Sequence, residues 1–252
     1  MRRYIFSLAL LTTFIIGCQD IPRDNLLDPK NDSSYQASTL LLEAFVNTTA
    51  ADNYNLWALQ ALDSMKELYG KRVVIAEYHR DGSPYTSPVF ENLYDKYVDN
   101  SADNIKGVPD IFLNGVSARV QGASAAATVV SRLNTLLSDW VVRNNYFTLE
   151  AEDVKWDDSK ISATCRIARL GSEPAEDILL KMIALKQVNS GQLKRVALGI
   201  EKSVVISKIE AGEIKTEDFE MGNLLSRPDK VIFCLTSSDE LHVYQSIEVN
   251  IQ

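Results

Sequence analysis

The feature that most constrains this chain is a change of hydrophobic period near residue 145. From Thr39 to Asn144, short apolar runs alternate with stretches whose apolar residues recur every three or four positions. Beyond Asn145 the helical period is gone, and only alternating or β-branched runs remain. A chain that changes period in this way predicts an α/β unit over 39–144 followed by an all-β unit over 145–252.

In the first unit, Thr39 to Phe45 reads as a short apolar strand. Ala58, Ala61, Leu62, Met65, Leu68 and Tyr69 share one face of a helix that stops at Gly70. Val73 to Tyr78 is β-branched and typical of a central strand. Pro88 opens a second helix running to Tyr97. Ile111 to Leu113 precedes Asn114-Gly115, a hairpin signal, and Val129, Val130, Leu133, Leu136, Leu137, Trp140 and Val141 mark a last amphipathic helix. In the second unit, strands are predicted over 147–156, 160–167, 178–188, 203–209, 230–236 and 241–251, separated by Asp, Gly, Asn and Ser turns. That pattern predicts a small antiparallel sandwich of the immunoglobulin or fibronectin kind, in architecture only.

The N-terminal stretch sets a different constraint. Arg2-Arg3 precedes an apolar run from Tyr4 to Gly17, too short for the roughly 20 apolar residues of a membrane span. Ile15-Ile16-Gly17-Cys18 resembles the box at which bacterial lipoprotein precursors are lipidated and cut. The resemblance implies a signal peptide over 1–17 and a mature chain starting at Cys18, with a diacylglycerol on its sulfur and an acylated amino group, which gives stable anchoring to a membrane. Residues 18–38 are polar, carry Pro22 and Pro29, and read as a tether. The implied address is the bacterial cell envelope, at the outer membrane.

Three segments of the first unit, Leu42 to Thr48, Val74 to Gly82 and Gly107 to Gly115, resemble the thioredoxin-like domain of bacterial outer-membrane lipoproteins. By that resemblance Val108-Pro109 is a cis peptide beside a peptide-binding groove. Redox members carry Cys-x-x-Cys at the start of the first helix, where the thiolate is stabilised. Here Asp52-Asn53-Tyr54-Asn55 stands in its place, which suits helix capping but not disulfide exchange. The expected ligand-binding residues are therefore Asp52, Asn53, Tyr54, Asn55, Val108 and Pro109, with a protein or peptide as ligand and no thiol chemistry.

Composition narrows the rest. The chain of 252 residues carries a net charge of −8, so nucleic-acid binding, which rests on clustered Lys and Arg, is not expected. His79 and His242 are the only histidines and lie far apart, so neither a metal nor a cofactor is expected. Cys165 and Cys234 sit in strand-like runs and either form a disulfide or stand as separate buried thiols. Both readings stay open. The expected function is a lipid-anchored, redox-inactive binding or assembly module without catalytic residues. The alternatives are a purely structural outer-membrane lipoprotein, or an enzyme with non-thiol chemistry, for which Asp52, His79 and Asp81 are the candidate acid or base groups.

Overall fold

The structure is a computed structural model that describes residues 24–80, 82–188 and 193–251. Cys18, the leader over 1–17 and Asp81 lie outside the described residues. The first half comprises β1 (Gln36–Ala37), β2 (Leu40–Val46), α1 (Tyr54–Tyr69), β3 (Val73–His79), α2 (Pro88–Asp99), β4 (Asp110–Leu113), β5 (Ala118–Gln121) and α3 (Ala126–Trp140). The second comprises β6 (Asn144–Asn145), β7 (Phe147–Asp157), β8 (Lys160–Arg169), β9 (Ala175–Lys186), β10 (Val196–Ile209), β11 (Ile214–Met221), β12 (Lys230–Ser237) and β13 (Val243–Asn250).

The helices follow from local chemistry. In α1, Ala58, Leu59, Ala61, Leu62 and Met65 are buried, and Gly70, at φ +58°, closes it with its N–H donating to the Lys66 carbonyl. Pro88 takes the first position of α2, where no N–H is needed, and the Ser87 hydroxyl accepts from Val89 N at 3.3 Å. In α3, Val129, Leu133 and Leu137 are buried, and Val130, Leu136 and Trp140 pack partly buried beside them.

The expectation of an α/β thioredoxin-like domain followed by a separate sandwich is corrected here. The molecule is predominantly β, and its principal sheet has eight strands in the order β13-β12-β9-β10-β3-β2-β4-β5, drawn from both halves. The link is β10. Sequence patterning starts it at Ser203, but it begins at Val196 and pairs there in parallel with Glu77 of β3, while Glu77 N donates to the Arg195 carbonyl at 2.9 Å. The sheet then curls back on itself: Gly115, between β4 and β5, bridges to His242 at the start of β13.

Three cores stack through this sheet. The even residues of β2, Leu40, Leu42, Ala44 and Val46, pack under α1 and α3. The odd ones, Leu41 and Phe45, join α2 residues Phe90, Tyr94 and Tyr97 and, from the second half, Ile183, Ile232 and Cys234. Opposite faces of β9 and β12 form a third core with β7, β8 and β11, a three-stranded sheet. Strands buried on both faces need a layer on each side, and sharing those layers is what fuses the halves.

One open reading is resolved and one further expectation changes. Cys165 belongs to the third core and Cys234 to the central one, on opposite sides of the sheet, and both thiols are free. They form no disulfide. The expected tether is, from residue 24 onward, a strap laid on the domain. Ser34 is fully buried and its Oγ accepts from Gly171 N at 2.8 Å, β1 pairs with β6, and Gly212, at φ +75°, comes so close to Pro29 that a Cβ there would lie 2.9 Å from its carbonyl oxygen. No helix of the described residues is long and apolar enough to cross a membrane.

Candidate binding cleft

The residues expected to bind ligand lie at one end of the central strands. Phe45 of β2 pairs with Asp110 of β4, so the loop after β2 and the Val108-Pro109 peptide, which is cis, leave the sheet at the same end. Their polar groups serve the fold. Asn55 is buried and its Oδ1 accepts from Asn47 N at 2.9 Å. Asp52 Oδ1 accepts from Tyr54 N at 3.0 Å, the Tyr54 ring lies 5.7 Å from that of Trp57, and the Pro109 carbonyl accepts from Gly122 N. Val108 packs against the central core.

His79, also at this end, is fully buried. Burial alone pushes its pKa down to about 4, its Nδ1 lies 3.3 Å from the Thr48 hydroxyl, and its Nε2 has no partner. A neutral imidazole sealed from solvent makes a poor acid or base at neutral pH. The thiols are equally inert, since burial pushes both Cys165 and Cys234 up to about 12.

An aromatic cleft lies at the junction of the two halves, where α3 ends. Its cavity of about 470 Å³ is walled by Trp140, Arg143, Phe147, Tyr146, Arg169 and Tyr244, among others. A second hollow of about 520 Å³ shares Asn144, Tyr146 and Arg169 with it and reaches the strap at Asp32, Ser33 and Tyr35. The walls are stacked and braced. The Arg143 guanidinium lies 3.8 Å from the Trp140 ring centroid and that of Arg169 4.7 Å from Phe147, while Phe147 and Tyr244 are 5.6 Å apart. Arg169 donates to the Glu173 carbonyl at 2.8 Å and the Tyr146 carbonyl at 3.1 Å. Burial lowers its pKa from an ordinary value so high that it stays charged. Asn145 fixes the turn, its Oδ1 accepting from Phe147 N and its Nδ2 donating to the Tyr244 carbonyl, both at 2.9 Å.

This arrangement offers flat apolar faces, two guanidinium groups and, in Tyr146 and Tyr244, side chains 44% and 38% exposed. It can hold a ligand by stacking and hydrogen bonding. Among the described residues no cluster of three or more His, Cys, Asp or Glu is placed to hold a metal ion. Sequence reasoning missed the cleft because its walls come from six elements, α3, β6, β7, β8, β9 and β13. The signal on hand was Trp140 to Phe147, dense in aromatic, Arg and Asn residues where the helical period stops.

No family model matches the sequence, and no curated protein does. Among solved structures, HBP35 of Porphyromonas gingivalis is similar over 85% of this chain and 76% of its own, with a TM-score of 0.66 and 14% identity. At that identity the likeness concerns the fold alone. A β-glucosidase from Kluyveromyces marxianus, at 17% identity, covers 43% of this chain and 14% of its own with a TM-score of 0.28. For β-glucuronidase 2 of Bacteroides uniformis the figures are 13%, 41%, 12% and 0.30. Scores so low carry no functional argument.

Proposed function

We propose that this chain is a lipid-anchored envelope protein, held through Cys18, that acts as a binding or assembly module for a protein ligand and does no thiol chemistry. The observation carrying this reading is the cleft at the junction. Trp, Tyr and Arg are the residues that concentrate in the energetic centres of protein interfaces, and Trp140, Arg143, Tyr146, Arg169 and Tyr244 gather there around one hollow. The sealed thiols and the sealed His79 support binding over turnover. The lipid supplies residence at the membrane, and the strap over 24–38 lines the edge of the cleft with Asp32, Ser33 and Tyr35.

The test is site-specific photo-crosslinking. A photoreactive side chain at Tyr244 in the membrane-bound protein is expected to yield one defined adduct with an envelope protein, lost when Arg143→Ala and Tyr146→Ala are introduced. No adduct, or an adduct indifferent to both substitutions, refutes the assignment. Cys18→Ser is expected to leave an unprocessed or soluble product, read by detergent partitioning and mass spectrometry of the N-terminus. A wild-type mature chain without lipid refutes the anchor.

A further inference from the structure

The net charge of −8 conceals one place where cations gather. At the end of the sheet where β2 and β3 begin, two hollows of about 460 and 180 Å³ adjoin, sharing Lys66, Lys230 and Glu248 as walls. Lys71 lines the larger hollow, and Lys186, Lys194 and Arg195 line the smaller. Two of these cations are already matched. Lys194 Nζ lies 2.8 Å from Asp63, and Arg195 lies 2.8 Å from Asp63 and 2.9 Å from Glu77.

Four lysines, Lys66, Lys71, Lys186 and Lys230, then face two carboxylates, Glu248 and Asp229, an excess of two positive charges around the joined hollows. The crowding is felt at Lys66. Burial lowers its pKa, and Lys230 and Arg195 press the same way against the opposing pull of Glu248. Glu248 Oε1 lies between Lys230 at 2.8 Å and Lys66 at 3.7 Å, the position an incoming anion would compete for. Its other oxygen, Oε2, is enclosed and receives no hydrogen bond.

We propose that these joined hollows bind a phosphomonoester. Such a group carries up to two negative charges, which match the excess, and three acceptor oxygens for the lysine ammonium groups. In its monoprotonated form it gives up one of those charges and brings instead an O–H that can donate to a carboxylate such as Glu248. Sulfate matches the charge but has no such proton, so the site distinguishes the two.

The group belongs either to a lipid headgroup or to free phosphate, and titration calorimetry on the full chain in non-ionic detergent, at low salt and near-neutral pH, separates the sources. The probes are inorganic phosphate, dihexanoyl phosphatidic acid and sulfate. At least one phosphate probe is expected to bind at one per chain, with sulfate at least tenfold weaker. The tighter of the two phosphate probes names the source. Lys71→Met, on an exposed side chain, and Lys230→Met are each expected to weaken binding about tenfold, the loss of one charge-assisted contact, while Glu248→Gln is expected to admit sulfate. Failure of both phosphate probes, equal binding of sulfate by the unaltered protein, or binding indifferent to both lysine substitutions overturns the proposal.

Discussion

At the scale of single residues, the buried ionisable groups set how stability responds to pH and substitution. His79 has its pKa lowered to about 4 in the folded protein by burial, against 6.5 when unfolded. A group with a depressed folded pKa favours folding above its unfolded value and loses that contribution as pH falls. Stability is therefore expected to drop by about 3 kcal/mol between pH 6.5 and pH 4 on account of His79 alone. Urea denaturation at a series of pH values reads this, and His79→Leu should flatten the curve in that window. Lys181 and Glu43 form a second case, with their side chains fully buried and Nζ 3.4 Å from Oε1. Tyr78 and Tyr97 donate to the two carboxylate oxygens at 2.9 and 2.7 Å. Burial opposes the ammonium most strongly, but the Glu43 carboxylate together with Cys234 and Glu240 outweighs it, so the Lys181 pKa is raised. Lys181→Ala leaves a sealed carboxylate without its cation and is expected to cost about 3–5 kcal/mol. Glu43→Gln with Lys181→Met together should cost clearly less than the sum of the two single changes.

At the scale of elements, the tightest closure is Gly115 against the turn between β12 and β13. Its φ is +70°, and a Cβ there would lie 2.2 Å from the Leu241 carbonyl oxygen. Val116 N donates to that carbonyl at 2.8 Å, and Val243 N donates to the Asn114 carbonyl at 3.2 Å. Gly115→Ala must push the two turns apart, and a loss of about 2–4 kcal/mol is expected, read as a lowered melting temperature. Asn114-Gly115 was legible in the sequence as a hairpin, but its partner turn was not, because a turn signal carries no address. The same division runs through the fold. The faces of α1 and α3 and the apolar runs of β2, β3, β9 and β12 could be read from periodicity. β11 escaped notice because Lys215 and Glu217 stand on the face that Phe219 and Met221 bury, so the apolar alternation is broken. The first part of β10 escaped because Gly199 and Glu201 interrupt its pattern. The strap was misread because its polarity suggests solvent, whereas Asn25, Asp28 and Asn31 spend their side chains on local turns. Of the candidate sites, the cationic hollows were the least visible, since Lys66, Lys71, Lys186 and Lys230 meet only in three dimensions.

At the scale of the whole molecule, the shared central core decides whether either half can stand alone. Phe45 lies 4.9 Å from both Tyr78 and Tyr94 in that core, and its remaining wall is supplied by Ile183, Leu185, Ile232 and Cys234 from beyond residue 145. Full burial of each large apolar side chain is worth roughly 1.5–3 kcal/mol, so baring this face of several such residues sacrifices an amount comparable to a domain's usual margin of about 5–15 kcal/mol. Removing the second half also strips Glu43 of Lys181 and leaves Glu77, which has Arg195 as its ion-pair partner at 2.9 Å, without its cation. A fragment of residues 39–144 is therefore expected not to fold, giving poorly dispersed amide resonances and no cooperative melt. The full chain should unfold in one transition monitored alike by near-ultraviolet and far-ultraviolet circular dichroism. A fragment with native-like dispersion, or two separated transitions in the full chain, would show that the halves are independent and that the eight-stranded sheet joins them without binding their stabilities together.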